Sequence, residues 1–310
     1  MPAPTTLTPV ESRGGRLFKR EDLHTAGGVV NGSKLRACQH LIGCAAAAGA
    51  TEVISAASVH SPQSAMAAVV AAAHGLPATV ILGATTDHAA MRHPSIRIAV
   101  EYGARLHHVP VGYNPYLQQR ASRLADERPG AYWLRYGITP PPNASRDEVS
   151  DFHATTAKQV ANLPPSVRTL IVPFGSGNTA AGVLLGISVR APADLERIVL
   201  MGIGPDRRPW LTDRLAWLHA RVPVPVEHID LHGTGFAAYA DKMPETLDGI
   251  DAHPTYEGKV IRYLNQHRPA WWERRDDTTC LWIVGGPLAG QTARAGRRRS
   301  GNAAGTGGRA

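Results

Sequence analysis

Cysteine is scarce in this 310-residue chain: Cys38, Cys44 and Cys280 are the whole complement, and no two form a CxxC pair. An odd number without that spacing argues against a disulfide framework and against a cysteine-built zinc site. Long apolar runs are missing too. None reaches the ~18 residues that a membrane helix needs. Residues 1–10 lack the cationic and apolar regions of a signal peptide, so a cytoplasmic protein is expected. Histidine is plentiful at 14, but His60, His74, His88 and His93 show no HExxH spacing. His107 and His108 fall in an expected strand, where neighbours face opposite sides. The histidines are therefore read as ordinary polar residues, and no metal site is expected.

Acidic charge is absent from one stretch. The formal net charge is +8, yet residues 290–310 hold Arg294, Arg297, Arg298, Arg299 and Arg309 and no acid, which leaves +3 for the remainder. That Gly, Ala and Arg segment is of low complexity and is expected to be a disordered, solvated basic tail rather than a nucleic-acid arm. The hydrophobic fraction of 43%, with alanine runs at 45–48 and 71–73, fits a globular class with tightly packed helices. At this length one large domain or two intertwined ones are both open.

Short β-branched or apolar runs recur at 53–58, 78–84, 105–111, 132–137, 169–174, 197–204 and 280–286, and each reads as a strand. Between them lie stretches with helical spacing, such as Leu35, Cys38, Leu41, Ile42 and Ala45, closed by Gly49. Strands alternating with helices give an α/β fold on mainly parallel sheets. The proline-rich segment 140–145 reads as a loop and a domain seam.

Two constellations carry chemistry. The first runs from an apolar strand through Gly175, Ser176, Gly177, Asn178 and Thr179 into an alanine-rich helix. Glycines let backbone N–H groups point inward, hydroxyls can donate, and the helix start adds a favourable dipole, so this is an anion cradle. It matches neither GxxxxGK[ST] nor GxGxxG, which points to a lone phosphate rather than a nucleoside triphosphate or dinucleotide. In the second, Lys19, Arg20, Glu21 and Asp22 precede Asn31, Gly32, Ser33 and Lys34, which opens an amphipathic helix. A partly desolvated lysine at a helix start has its ammonium form disfavoured, as a Schiff-base lysine requires.

Together, in this order, the two segments resemble the fold-type II pyridoxal-phosphate enzymes, the tryptophan synthase β-like family. The Lys19 to Asp22 opening is similar to the branch of 1-aminocyclopropane-1-carboxylate deaminase and D-cysteine desulfhydrase. So are Ser61, Pro62, Gln63 and Ser64 before an alanine-rich helix, and the Pro254, Thr255, Tyr256, Glu257, Gly258, Lys259 segment. The resemblance implies two parallel-sheet, three-layer domains: residues 1–49 and 156–289 binding pyridoxal 5'-phosphate, and residues 50–155 closing over the substrate. It implies that Lys34 holds the cofactor and moves protons, and that Gly175 to Thr179 bind its phosphate. Ser61, Gln63 and Ser64 would lie at the substrate, with Ser61 a proton relay. Tyr256 would face the reacting carbon and Glu257 the pyridine nitrogen. A homodimer is implied as well. A carboxylate beside that nitrogen favours its protonation, which makes the ring a stronger sink for a carbanion.

Two departures bear on the reaction. Pro62 stands where the family has asparagine, and it offers neither an amide side chain nor an N–H. Val284 falls in a segment similar to His-Thr-Gly-Gly-x-Pro, with apolar residues in place of histidine and threonine. The expected activity is a lyase or deaminase acting on a small amino acid. Pro62 and the arginine tail motivate an alternative, an enzyme that modifies an amino acid attached to a larger carrier such as nucleic acid. A non-catalytic cofactor-binding relative is the third reading.

Overall fold

The computed structural model describes residues 6–288, so the basic tail lies outside the described residues. The first strand pair is a hairpin, β1 (Val10–Arg13) antiparallel to β2 (Arg16–Arg20). Helix α1 (Ser33–Ala47) follows and leads into a run of strands and helices: β3 (Glu52–Ala56), α2 (Gln63–Ala73), β4 (Ala78–Gly83), α3 (Pro94–Glu101), β5 (Arg105–Val109), α4 (Asn114–Asp126) and β6 (Ala131–Leu134). After the proline loop come α5 (Arg146–Ala157), β7 (Thr169–Phe174), α6 (Asn178–Val189), β8 (Arg197–Gly202), α7 (Arg208–Trp217), β9 (Val226–Asp230), α8 (Glu257–His267) and β10 (Thr279–Ile283). All seven expected strands are present, with ends shifted by no more than three residues.

Two sheets result. The larger has the order β1-β2-β10-β7-β8-β9, parallel except for the β1 edge, and draws strands from both ends of the chain. The smaller, β5-β4-β3-β6, is wholly parallel and drawn from residues 52–134. Each is covered on both faces, as parallel sheets require. In the larger sheet Leu170, Val172, Ile198, Leu200 and Trp282 face α6, while Ile171, Val199, Met201 and Leu281 face α8. The period of two sends alternate residues to opposite cores. In the smaller sheet Val53, Val80 and Leu82 meet α1 to α3, and Ile54, Ala56 and Ile81 meet α4. Gln63 through Ala71 are all buried, so α2 is a core helix whose alanines admit close neighbours. The seam between the two layers is proposed to lie in the loop 140–145, because a boundary after residue 155 would cut α5.

Three strands of the larger sheet, β1, β2 and β9, did not stand out in the sequence. β2 is fully buried although it reads Arg-Leu-Phe-Lys-Arg. Its charges are satisfied internally: Arg16 Nη2 donates to the Trp272 carbonyl at 2.7 Å, its guanidinium stacks 3.7 Å from the Trp272 ring, and Lys19 Nζ donates to Thr8 O and Asn162 Oδ1, both at 2.7 Å. Glu21 is likewise buried, accepting from Thr8 Oγ1 at 2.5 Å and Arg36 Nε at 2.8 Å. Arg20 and Asp22 pair at 2.7 Å. The Lys19 to Asp22 opening is thus a buried polar scaffold that joins the sheet to α1 through Arg36.

Candidate active site

The helix start that carries Lys34 is set by a close approach. Gly32 has φ +99°, and a Cβ there would lie 2.5 Å from the Val284 carbonyl oxygen. Only glycine permits this contact. The Ser33 N–H donates to that same carbonyl at 2.8 Å. The end of β10 is thereby fixed against the first turn of α1, so Val284, Gly285 and Gly286 line the cleft with Lys34. Asn31 Oδ1 accepts from the Gly286 N–H at 2.8 Å and completes the join.

Opposite lies the anion cradle. β7 ends at Phe174, and Gly177 caps α6 in the left-handed region at φ +94°. A Cβ on Gly177 would run into the Trp210 ring. Gly175, Ser176, Gly177 and Thr179 line the same cleft as Lys34. Asn178 differs: its side-chain amide donates to the Gly137 and Ile138 carbonyls at 3.4 and 3.3 Å, which ties the turn to the segment after β6. Asn178 thus has its backbone N–H, not its side chain, to offer an anion.

The third wall is the start of α8. Tyr256 is its N-cap, and its hydroxyl accepts from Lys34 Nζ at 3.4 Å. Burial pushes the Tyr256 phenol up to about 12. Glu257 is fully buried; Oε1 accepts from the Val284 N–H at 2.5 Å, while Oε2 has no partner among the described residues. Burial drives this carboxyl up to about 8, against the backbone N–H groups that favour its charge. Gly258 and Lys259 hold a neighbouring segment: a Cβ on Gly258 would collide with the Met243 carbonyl, and Lys259 Nζ donates to the Ala238 and Tyr239 carbonyls at 2.6 and 3.0 Å. Tyr239 is thereby set at the cleft.

The structure brings Lys34, Gly175, Ser176, Gly177, Thr179 and Tyr256 together around one cleft, with Glu257 buried behind Val284. Gln63 and Ser64 are not brought there, contrary to expectation. Gln63 is 2% exposed and Ser64 0%. The Gln63 amide donates to Ser55 Oγ and to the Leu134 and Arg135 carbonyls and accepts from the Gly137 N–H, so it stitches the small sheet together. Ser61 Oγ accepts from the Gln63 N–H at 3.2 Å, and Pro62, not Ser61, lines the cleft. Tyr239, His253 and Asn31 line the cleft without having stood out in the sequence as site residues. His253 lines the cleft, with its ring 4.6 Å from that of Tyr256. Its Nδ1 accepts from the Thr255 N–H at 3.2 Å, and burial, with Lys242 and Lys34 nearby, lowers it to about 3, so it is a neutral donor through Nε2. For Asn31 only its place just before Lys34 pointed to the site, and for Tyr239 nothing local did.

The chain matches the family described as "Pyridoxal-phosphate dependent enzyme" over residues 3–268. It is 30% identical over 311 residues to an O-seryl-dTMP PLP-dependent decarboxylase of Salmonella phage ViI, covering 83% of this chain and 73% of that protein. The chain belongs to the pyridoxal-phosphate dependent enzyme family. Within this family it is 29% identical to the nocardicin C-9' epimerase of Nocardia uniformis subsp. tsuyamanensis, over 78% of this chain and 76% of that one. Among solved structures, an ACC deaminase homologue superposes with a TM-score of 0.70 at 22% identity, covering 95% of this chain and 94% of its own. That likeness supports the fold.

Pyridoxal 5'-phosphate is the cofactor that family membership implies, and three features of this chain fit it. The N-terminus of α6 with its glycine turn suits a phosphate. The unpartnered, buried Glu257 Oε2 is an acceptor that awaits a donor, as the ring nitrogen would be when protonated. Lys34 lines the same cleft as the phosphate turn.

Proposed function

We propose that this pyridoxal-phosphate enzyme removes the carboxyl group of an amino acid carried on a nucleotide. The observation that carries the reading is the chemistry of the cleft wall. Pro62, Met66, Ile203, Val284 and Leu288 line it, and among the described residues Lys34 is its only cationic side chain. A substrate carboxylate against such a wall loses hydration without gaining a salt bridge. Its conversion to neutral carbon dioxide is then favoured. The decarboxylase named above acts, by its name, on a seryl group attached to thymidylate, and the amino acid on a carrier was the alternative that Pro62 raised.

When bound, the cofactor supplies an electron sink for the carbon that bears the substrate amine. The residues supply the rest. Lys34 would hold the cofactor, and Gly175, Ser176, Gly177, the Asn178 N–H and Thr179 its phosphate. Glu257 would accept from the ring nitrogen. Lys34 Nζ and Tyr256 Oη, 3.4 Å apart, form the pair that can deliver a proton to the carbon losing its carboxyl group. His253, neutral and packed on Tyr256, fixes that phenol and offers Nε2–H as a donor. Ser61, beside Pro62, remains a proposed relay at the mouth.

The same Lys34 and Tyr256 pair favours a second reading, a lyase or deaminase of a small amino acid, because it could equally remove a proton. Incubation of the loaded protein with O-seryl thymidine nucleotide and with a panel of free amino acids separates the two. Carbon dioxide release and an aminoethyl product from the nucleotide support the first. Ammonia with a 2-oxo acid from a free amino acid, and no change in the nucleotide, overturns it. A homodimer is proposed on the family resemblance; among the described residues no helix is long and apolar enough to cross a membrane.

A further inference from the structure

A groove begins where the cleft ends. Ser176 lines both, and the groove runs from it between α7 and the proline wall at 140–142, with a volume of about 620 Å³. That size lies within the range of roughly 300 to 1,000 Å³ typical of small-molecule sites. A substrate no larger than a free amino acid would leave it unused.

Its lining is basic and aromatic. Arg135, Arg207 and Arg214 contribute three positive charges against one acid, Asp213. None of the three arginines has an ion-pair partner among the described residues, whereas neighbouring Arg208 is held by Asp206 at 2.9 Å. Trp217 is 38% exposed and Tyr136 43%, so both rings offer faces to solvent. Arg214 lies 5.3 Å from the ring centroids of both Trp210 and Trp217, and Arg146 is 5.8 Å from Trp217. Exposed aromatic faces interleaved with unpaired arginines are how proteins track a single strand, the rings stacking on bases and the guanidinium groups meeting phosphates.

Resting on the reading that the amino acid is carried on a nucleotide, we propose that this groove binds a single strand of nucleic acid whose modified base, bearing the amino acid through its side chain with the carboxylate free, enters the cleft. Arg135 and Arg207 meet the backbone phosphates, and Trp217 stacks on a base flanking the modified one. Trp210 has a different part. It packs against Gly177 of the phosphate turn, so the groove floor and the cofactor cradle share one residue.

The test uses the loaded full-length protein, a fluorescein-labelled oligothymidylate and fluorescence anisotropy over a salt series. Arg207→Ala and Trp217→Ala are the variants, since both side chains are exposed and neither touches the cofactor cleft. The visible absorbance of the bound cofactor checks that each remains folded and loaded. Trp217→Ala is expected to weaken binding about fivefold or more. Arg207→Ala should reduce the slope of log K against log salt by about 0.7, as loss of one phosphate contact on a single strand requires. Wild-type affinity in both variants overturns the groove, even if O-seryl nucleotide is still decarboxylated. If neither nucleotide nor strand is recognised by wild type while free amino acids are turned over, the reading beneath it has failed instead.

Discussion

Glu257→Gln in the cofactor-free protein gives a signal whose sign and size follow from burial. The carboxyl sits at about 8 in the folded chain against an ordinary value of 4.5. A raised value means that the folded state prefers the protonated form. The contribution to stability is complete below pH 4.5 and declines as pH rises toward 8. Between pH 5 and pH 8 the wild-type protein should lose about 3 kcal/mol that the glutamine variant does not lose. For a chain of this size that is roughly 5 to 10 °C in Tm. Differential scanning fluorimetry of both proteins, stripped of cofactor, reads the difference at pH 5, 6.5 and 8. The variant should gain on wild type at each step upward. An offset that stays constant across the range would refute the reasoning, because it would mean that Glu257 titrates normally. With cofactor loaded the order should invert, since glutamine cannot supply the negative charge that holds a protonated ring nitrogen, and turnover should fall.

Other consequences are more direct. Tyr256→Phe should leave the visible band of the loaded protein intact while lowering kcat by about 10²-fold or more, the usual scale of a lost proton-transfer group; an unchanged kcat would remove Tyr256 from the mechanism. Gly177→Ala must place a Cβ into the Trp210 ring at a positive φ, so the affinity for pyridoxal phosphate, measured by titration, should drop at least tenfold. Glu21→Ala leaves the buried Arg36 guanidinium without its carboxylate and should cost roughly 3 to 5 kcal/mol in denaturant unfolding, with no effect specific to the reaction.

Parallel strands with uninterrupted apolar runs were legible because burial on both faces leaves a composition that little else produces. β2 was not, since its burial depends on partners more than a hundred residues away, Trp272 and Asn162, that local pattern cannot reveal. β9 (Val226–Asp230) is a half-exposed edge strand with Glu227 and Asp230, and lacks the apolar signature. The site divides in the same way. Lys34 and the 175–179 turn announce themselves through local glycine geometry at a helix start. His253 reaches the cleft only because Tyr256 and the segment held by Gly258 and Lys259 fold onto it. Gln63 misled for a related reason: its place beside Ser61 suggested a substrate contact, but at the start of a buried helix its amide is consumed by three backbone groups and Ser55. The groove of Arg135, Arg207 and Trp217 joins three distant segments and has no local trace.

The central claim is that Lys34 carries the cofactor. Borohydride treatment of the loaded protein followed by peptide mass spectrometry tests it most directly. The account predicts a pyridoxyl group on Lys34 and its disappearance, together with the visible band, in Lys34→Ala. A pyridoxyl group on Lys19, Lys242 or Lys259 instead, or none on any lysine, would contradict it.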